Sequence, residues 1–305
     1  MQKLNNFLTV TRAWSLPISI FSCLIPFIFG WVEKGHVLAG IGAMAGVILA
    51  HLGANLADDF FDYRKIVKEF GENFNRDELG LQKEKCLLIT QGVFSHRQVG
   101  LLSLLLFFIA FLIGCYFAYT VGFDVIYIAI ATFVLSLLYS KFTYCGFGEI
   151  AIGIIFCPLL YMGMYYVMTG HYSMPLLLVS IAVMPMLLGI LFNHTMLDFD
   201  FDSNHRKVTL CSILGSREKA WKMLCFFELA PYLLVTAAIL GGYLSKWFLF
   251  VWLSLPYAIC VLYLIKQVLK QRPDDFFKYF NPPMKLFVFF SVLIMIAKGF
   301  TAIFL

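Results

Sequence analysis

The chain has 305 residues, of which 61% are hydrophobic and only 13% are charged, and its mean hydropathy is +0.84. This composition excludes a soluble globular protein, because the apolar residues come in runs that are too long and too numerous for one core. The net charge of +5 is modest, and it predicts no nucleic-acid partner. We therefore expect the chain to lie in a lipid bilayer.

Stretches of about 20 apolar residues, the length that crosses the hydrocarbon core of a bilayer, recur along the whole sequence. Their uniform apolar character predicts helices, since the strands of a membrane barrel alternate between apolar and polar residues. The predicted fold class is all-α, a polytopic membrane bundle of nine transmembrane helices in which residues 1–305 form a single domain. The predicted helices lie near 14–33, 37–57, 99–121, 124–142, 147–169, 174–197, 220–243, 247–265 and 284–304.

Basic residues are distributed unequally between the loops that join these helices. If the amino terminus is cytoplasmic, all of the 23 Lys and Arg residues except Lys34, Lys246 and Lys298 fall on the cytoplasmic side. Cytoplasmic loops of membrane proteins carry an excess of Lys and Arg. We therefore expect a multi-pass protein of the inner (cytoplasmic) membrane, with its amino terminus in the cytoplasm and its carboxyl terminus outside.

A first acidic cluster stands where the second predicted helix ends. Its residues are spaced at i, i+3, i+4 and i+7, so a helix places them on one face over two turns: Asn55, Asp58, Asp59 and Asp62. Carboxylates this close repel one another and are unfavourable at a membrane boundary unless a cation or a set of donors neutralises them. The alternative is a solvated helix end whose acids pair with the basic residues that follow, Arg64, Lys65 and Lys68.

A second acidic cluster repeats this arrangement at the end of the sixth predicted helix. Asp198 and Asp202 share a helix face, with His194 one turn before Asp198. In the first cluster, His51 likewise precedes Asn55 by one turn. Both clusters fall at the cytoplasmic ends of even-numbered helices, so they can face each other across the bundle.

The ligand atoms of both clusters are carboxylate and amide oxygens, with histidine at the periphery. Such a set favours a hard cation such as Mg²⁺, which bridges carboxylates to the phosphates of a substrate. Basic residues directly after each cluster are candidates to bind a diphosphate, and the positive-inside rule explains them equally well: Arg64, Lys65, Arg206 and Lys207.

Charged clusters at the mouth of an apolar bundle favour a substrate with a charged head and a long apolar tail. Prenyl diphosphates have this form, and a metal ion stabilises the departing diphosphate as a Lewis acid. Ionisation at the allylic carbon leaves a carbocation that must be shielded from water. The chain's 33 Phe, 15 Tyr and 5 Trp offer apolar and π surfaces that tolerate such a cation.

Two motifs in combination resemble those of the UbiA superfamily of intramembrane prenyltransferases. Residues 55–63 are similar to the first aspartate motif of this family, with Asp58 where the menaquinone branch usually has Asn. Residues 198–202, followed by Lys207 to Leu210, are similar to the second motif. The resemblance is strongest to the branch of 1,4-dihydroxy-2-naphthoate prenyltransferases, which act in menaquinone biosynthesis.

Further segments extend this resemblance over the whole chain. Residues 146–153 and 163–170 are similar to a fifth-helix signature of the menaquinone branch, and residues 12–17 fit the family's amino-terminal end. The resemblance implies a central cavity with a side opening to lipid and Mg²⁺ between two facing clusters. The implied reaction is alkylation of an electron-rich ring carbon of a small aromatic acceptor by the polyprenyl group of a polyprenyl diphosphate.

The resemblance also assigns residues to roles. The metal ligands are expected to be Asn55, Asp58, Asp59, Asp62, Asp198 and Asp202, and Asp59, Asp62, Asp198 and Asp202 are expected to be catalytic. The residues expected at the diphosphate are Asn55, Arg64, Lys65, Tyr139, Lys141, Arg206 and Lys207. The residues expected on the acceptor side are His51, Glu149 and His194, although Glu149 is also explained as an acidic residue at a helix amino terminus.

Two departures from the family pattern bear on the acceptor. The menaquinone branch usually has Asn-Asn-x-Arg just before the second motif, where this chain has residues 194–197, His-Thr-Met-Leu. Many family members also space a Tyr and a Lys four residues apart, whereas Tyr139 and Lys141 are two apart. A naphthoate is the favoured acceptor, and a different phenolic or quinone-type acceptor stays open.

Three further activities are compatible with acidic residues at the ends of membrane helices. A membrane terpene cyclase or a lipid-ether-forming prenyltransferase would keep the fold and change the reaction. An ion-coupled secondary transporter belongs to another class of protein, in which intramembrane acids bind the coupling ion. A transporter would release no diphosphate from a prenyl diphosphate, so release of diphosphate distinguishes it from the enzymes.

Overall fold

The computed structural model describes residues 2–71, 86–197, 208–268 and 276–304, and all regular elements within these ranges are helical. Two 3₁₀ segments, Ala13–Ser15 and Lys246–Ser254, and a π turn, Ile155–Leu159, lead into or join α-helices. The α-helices are α1 (Gln2–Val10), α2 (Leu16–Val32), α3 (Val37–Phe70), α4 (Leu87–Thr90), α5 (His96–Thr120), α6 (Asp124–Tyr144), α7 (Gly148–Ile154), α8 (Leu160–Thr169), α9 (Met174–Leu197), α10 (Leu210–Leu214), α11 (Arg217–Leu240), α12 (Leu255–Val268) and α13 (Phe276–Phe304).

Eight of the nine predicted membrane spans are confirmed, because eight helical stretches in the described ranges are long and apolar enough to cross a bilayer. The remaining span, predicted near 124–142, is helical as α6, and Asp124–Ser136 forms a shorter apolar stretch among the residues whose side chains are described. Three spans are composite. The first 3₁₀ segment joins α2 in Ala13–Val32, the π turn joins α7 to α8 in Gly148–Thr169, and the second 3₁₀ segment joins α12 in Lys246–Gln267. The chain is therefore a multi-pass membrane protein with an all-helical bundle.

The centre of the bundle is α9, the most deeply buried of the spans. Its side chains Val183, Met186, Leu187 and Ile190 are inaccessible, and the helix packs against α7, α11 and α13. Beside this core, α2 contacts α3, α8 and α13, while α3 and α5 form a second extensive helix pair. Lipid chains are as apolar as these side chains, so the helices are held together by close packing and by polar contacts between them.

A smaller apolar cluster joins α1, α4 and α5 to the polar end of α3. Its buried members include Val10 of α1, Leu56 of α3, Leu88 of α4 and Val99 of α5. Because this cluster holds α1 beside α3, the turn that follows α1 lies against the helix face that carries the first acidic cluster.

The π turn at Ile155–Leu159 widens the fifth predicted helix in the middle of the membrane. Pro158 lies within it and has no N–H, so it cannot donate the hydrogen bond that a regular α-helix needs there. The ring of Phe156, in the same turn, meets the imidazole of His51 edge-on, with 5.5 Å between ring centroids. Turns of this kind are frequent at functional sites, and here the turn brings the fifth predicted helix into contact with α3.

The opposite end of the bundle is held by contacts between α2, α8 and α13. Glu33, directly after α2, accepts a hydrogen bond from Lys298 of α13 at 2.7 Å and another from the hydroxyl of Tyr165 in α8. Burial by itself raises the pKa of Glu33, but the hydrogen bonds from Lys298 and Tyr165 outweigh burial and lower that pKa below its ordinary value. The N–H of His36 donates to the carbonyl oxygen of Met168 at 2.8 Å, so the α2–α3 turn is bonded to the end of α8.

Gly35→Ala is expected to lower the apparent Tm by several degrees in a thermal-shift measurement. A Cβ at this position lies 2.9 Å from the carbonyl oxygen of Gly30 and 3.0 Å from that of Met168, and overpacking against backbone costs about 1–3 kcal/mol. Gly299→Ala is the control, because a Cβ there meets nothing within 4 Å and Ala is the better helix former. Equal Tm values for the two variants would contradict close packing at the α2–α3 turn.

Candidate active site

The first acidic cluster lies on one face of α3, which runs without a break from Val37 to Phe70. Asp59 is buried, with only 4% of its surface exposed, whereas Asn55 and Asp62 are half-buried and Asp58 is exposed. The row therefore has an inaccessible carboxylate at its centre and accessible oxygen atoms on both sides of it.

Arg12 supplies positive charge to the first acidic cluster. Its guanidinium donates to the carboxylate of Asp58 at 3.0 Å and, through a second nitrogen, to that of Asp59. The backbone of Arg12 is left-handed, with φ 50° and ψ 46°, in the turn between α1 and the first 3₁₀ segment. Burial by itself lowers the pKa of Arg12, but the charges of Asp58 and Asp59 outweigh burial and raise that pKa above its ordinary value, so the guanidinium stays cationic.

A polar network links Asn55 and His51 of α3 to the start of α2. The amide nitrogen of Asn55 donates to the carbonyl oxygen of Thr11 at 2.9 Å and to Oγ of Ser15 at 3.2 Å. Oγ of Ser15 also lies 3.1 Å from Nε2 of His51, and the hydroxyl of Ser19 contacts Nδ1 of the same ring. The predicted acceptor-side residue His51 therefore lies one helical turn deeper in the bundle than Asn55, between two serines of the neighbouring segment.

Of the two basic residues directly after the first acidic cluster, the structure brings Lys65 to it and places Arg64 elsewhere. Nζ of Lys65 lies 3.4 Å from the carboxylate of Asp62. The guanidinium of Arg64 lies over the ring of Phe60, 4.8 Å from its centroid, and Phe60 stacks on His96 of α5. Arg64 is thus on the face of α3 that packs against α5.

The predicted acceptor-side residues Glu149 and His194 lie on α7 and α9, two helices in contact. Glu149, in the first turn of α7, accepts a hydrogen bond from the hydroxyl of Thr195 in α9 at 3.4 Å. His194 precedes Thr195 and is half-buried. By the order of the helices, both residues lie at the same end of the bundle as the first acidic cluster.

The remaining predicted site residues have no described side chain. Asp198, Asp202, Arg206 and Lys207 lie outside the described residues, directly after the end of α9 at Leu197. Tyr139 and Lys141 fall in the last two turns of α6, and their side chains also lie outside the described part. The roles expected of these six residues at the metal and the diphosphate stay predictions.

Some groups around the first acidic cluster do not stand out in the sequence as site residues: Arg12, Ser15, Ser19 and the carbonyl oxygen of Thr11. Arg12 is 46 residues away from Asp58, and no periodic spacing connects the two. Its only sequence signal is its place directly before the first membrane span, inside the segment that resembles the family's amino-terminal end. The carbonyl oxygen of Thr11 has no sequence signal, because every residue carries that atom.

The donor atoms of the first acidic cluster fit a hard divalent cation as one part of a larger site. All four of its residues offer oxygen, the ligand atom that Mg²⁺ prefers. Within the described ranges, no three His, Cys, Asp or Glu side chains are grouped closely enough to hold a metal ion by themselves. An incomplete set is what Mg²⁺ commonly uses, since it keeps several waters and is held by one or two carboxylates together with substrate phosphates.

The chain is similar to known proteins over most of its length. The 1,4-dihydroxy-2-naphthoate octaprenyltransferase of Bacillus subtilis (strain 168) is 20% identical over 258 residues, which cover 80% of this chain and 78% of that protein. A solved UbiA homologue from Archaeoglobus fulgidus, bound to GPP and Mg²⁺, matches with a TM-score of 0.61 at 14% identity, over 98% of this chain and 100% of that one. A solved digeranylgeranylglyceryl phosphate synthase matches with a TM-score of 0.63 at 14% identity, over 100% of both chains.

One protein family matches the sequence of this chain across almost all of its membrane spans. Residues 19–293 match the UbiA prenyltransferase family. This match includes the first acidic cluster, the π turn and α9, and the solved homologues share the helical fold. The chain therefore belongs to the UbiA prenyltransferase family and is a membrane prenyltransferase.

Proposed function

We propose that the chain catalyses the Mg²⁺-dependent transfer of a polyprenyl group from its diphosphate to a small aromatic acceptor, with 1,4-dihydroxy-2-naphthoate favoured. The observation that carries this proposal is the row of oxygen ligands on α3, with Arg12 against it, at one end of an apolar bundle. The naphthoate octaprenyltransferase of Bacillus subtilis supports the acceptor, and the homologue bound to GPP and Mg²⁺ supports the metal and the diphosphate.

The proposed metal site has two halves. Asn55, Asp59 and Asp62 would hold Mg²⁺ from α3, with Asp58 beside them, and Asp198 and Asp202 would complete the site. When bound, Mg²⁺ stabilises the negative charge that develops on the departing diphosphate. Mg²⁺ bridges carboxylates and phosphates well, because both offer hard oxygen atoms.

Positive side chains share the charge of the diphosphate in this proposal. Lys65 is in place beside Asp62, and Arg12 lies against Asp58 and Asp59. The other candidates are the cations Lys141, Arg206 and Lys207, and the hydroxyl of Tyr139 as a hydrogen-bond donor. Because Arg64 packs on Phe60, we favour Lys65 over Arg64 for this role.

The reaction breaks the bond between the allylic carbon and a diphosphate oxygen and forms a bond from that carbon to a ring carbon of the acceptor. The ring carbon releases the group that it carried, either a proton or, if transfer is coupled to decarboxylation, the carboxyl group as CO₂. The allylic cation needs apolar, π-rich surroundings that exclude water. Phe156, on the π turn, lies against His51 one turn below Asn55 and offers such a surface. Glu149 and His194, on α7 and α9, are the proposed groups that bind the hydroxyls of the acceptor and receive its proton.

The orientation of the protein in the membrane is part of the proposal. The excess of Lys and Arg in one set of loops supports an inner-membrane protein with a cytoplasmic amino terminus and an outward carboxyl terminus. In this orientation both acidic clusters lie at the cytoplasmic side, where soluble diphosphate is released.

Purified protein supplied with Mg²⁺, labelled geranyl diphosphate and a panel of phenolic acceptors tests the proposed function. We expect diphosphate release that depends on Mg²⁺, and the most product with 1,4-dihydroxy-2-naphthoate. The product mass equals the acceptor plus one geranyl group minus one hydrogen, or minus the carboxyl group if transfer is coupled to decarboxylation. A cyclic terpene formed without acceptor would indicate a terpene cyclase instead, and a prenyl ether of a glycerol phosphate would indicate a lipid-ether-forming prenyltransferase. No release of diphosphate under any condition would refute the proposal and leave the transporter.

A further inference from the structure

The orientation of the Asn55 carboxamide follows from the groups around it. Its nitrogen faces the carbonyl oxygen of Thr11, 2.9 Å away. A carbonyl oxygen only accepts hydrogen bonds, so the reversed carboxamide would set two acceptor atoms against each other. The second N–H of the group donates to Oγ of Ser15 at 3.2 Å. Both donors of Asn55 are therefore used, and its Oδ1 is turned away from Thr11 and Ser15.

The hydrogen positions on Ser15 and His51 follow in the same way. The hydroxyl of Ser15 donates to the carbonyl oxygen of Arg12 at 2.9 Å, so it has no proton left for the imidazole. Nε2 of His51, 3.1 Å from Oγ of Ser15, must therefore carry a proton and donate it. Nδ1 of the ring then accepts from the hydroxyl of Ser19, which is fully buried.

These contacts form one directed chain of hydrogen bonds from Ser19 through His51 and Ser15 to the carbonyl oxygen of Arg12. Ser15 donates its single proton to that carbonyl oxygen and accepts a hydrogen bond from His51. Toward Asn55 it can therefore only accept, so an N–H of Asn55 must face it. Without the imidazole donor, the hydroxyl of Ser15 loses one of the hydrogen bonds that hold it in place beside Asn55. The histidine one turn below the first acidic cluster thus reinforces the carboxamide orientation that the carbonyl oxygen of Thr11 sets.

We infer that Ser15 and His51 are positioning residues for metal binding, because they hold Asn55 with Oδ1 turned away from Thr11 and Ser15, on a helix face that also carries Asp58 and Asp59. The inference rests on the proposed function, since it requires Asn55 to coordinate Mg²⁺. Groups that orient a metal ligand through a hydrogen bond typically change metal affinity or activity by about 10–100-fold when they are removed.

Ser15→Ala removes the acceptor that Asn55 and His51 share, and Ser22→Ala is its matched control. Ser22 lies further along α2 and is fully buried, and its hydroxyl has no hydrogen-bond partner among the described residues. Both variants exchange a buried serine for alanine in the same part of the bundle, but only the first is expected to affect the carboxamide. A second pair tests His51: His51→Gln keeps an N–H near the place of Nε2, whereas His51→Leu removes it.

The main readout is binding of Mn²⁺ alone to the purified full-length protein, followed by the electron paramagnetic resonance signal of free Mn²⁺. We expect Ser15→Ala and His51→Leu to raise the Kd for Mn²⁺ about tenfold, with Ser22→Ala and His51→Gln close to wild type. The Mg²⁺ concentration that gives half-maximal turnover should rise by a similar factor in the first two variants, while the KM for geranyl diphosphate at saturating Mg²⁺ stays nearly constant.

The outcomes separate this inference from the proposed function. Equal Mn²⁺ affinity in Ser15→Ala and Ser22→Ala overturns the positioning role, and if Ser15→Ala does not fold, equal affinity in the two His51 variants overturns it. Wild-type protein that releases diphosphate but binds no Mn²⁺ also overturns the positioning role. The proposed transfer reaction would still stand in that case. Wild-type protein that releases no diphosphate refutes the proposed function itself.

Discussion

Asp59→Asn is expected to reduce kcat by about 10²-fold or more while the protein remains folded. Asp59 is the buried carboxylate at the centre of the first acidic cluster, and Asn preserves its shape while removing one negative charge from the proposed metal site. Lewis-acid stabilisation of a leaving group contributes several kcal/mol, and each 1.4 kcal/mol corresponds to about a tenfold change in rate. Steady-state turnover, measured over a range of Mg²⁺ concentrations, is the test.

Asp124→Asn is the matched control for this variant. Asp124 begins α6 at the opposite end of the bundle, and its carboxylate accepts a hydrogen bond from Tyr172 at 3.3 Å, which an amide oxygen also accepts. Turnover of Asp124→Asn should equal that of the wild type.

Asp198→Ala is expected to be as inactive as Asp59→Ala, because each removes one proposed metal ligand. A wild-type rate for Asp59→Asn at low Mg²⁺ would remove Asp59 from the site.

Arg12→Ala is expected to lower both turnover and thermal stability. The substitution leaves the carboxylate of Asp59, whose side chain is 6% exposed, without its cationic partner, and breaking a buried ion pair in this way costs about 3–5 kcal/mol. Arg12→Lys should lose less, because it keeps the charge but cannot offer two separated N–H groups to Asp58 and Asp59 at once. Apparent Tm and kcat of the purified variants test both statements.

The contact between Arg12 and Asp59 can be isolated by combining the two variants. In the Asp59→Asn background there is less negative charge to neutralise, so Arg12→Ala should lower Tm by less than it does in the wild type. Arg97→Ala serves as the control, since Arg97 is an exposed residue of α5 outside the cluster. Strictly additive losses of Tm in the double variant would show that the two side chains do not stabilise one another.

The arrangement of residues within single helices was predictable from the sequence. The spacing of Asn55, Asp58, Asp59 and Asp62 places them on one face wherever this segment is helical, and α3 is helical throughout. The same helical periodicity also separates Arg64 from that face, because a residue that is close to the cluster in sequence need not lie on the same side of the helix. The contact of Arg64 with Phe60 shows that helical periodicity predicts the position of Arg64 better than its closeness in sequence to the acidic cluster does.

Contacts between helices were predictable only in outline. The resemblance to a family indicated the segment that contains Arg12, but the two ion pairs of Arg12 require the turn after α1 to lie beside α3. The apolar cluster that includes Val10 and Leu56 joins these two helices. The hydrogen bond from Asn55 to the carbonyl oxygen of Thr11 is still less predictable, since it involves a backbone atom. Such contacts follow from the way two helices pack, which is not encoded in any local spacing.

The sequence by itself determined that this chain is a bundle of membrane helices with a face of oxygen ligands at one end, because apolar run length and helical periodicity are local properties of the chain. Only the tertiary structure decided which cation meets those ligands and how the Asn55 carboxamide is turned. These features depend on the distance and angle between separate helices, and packing against neighbours sets both.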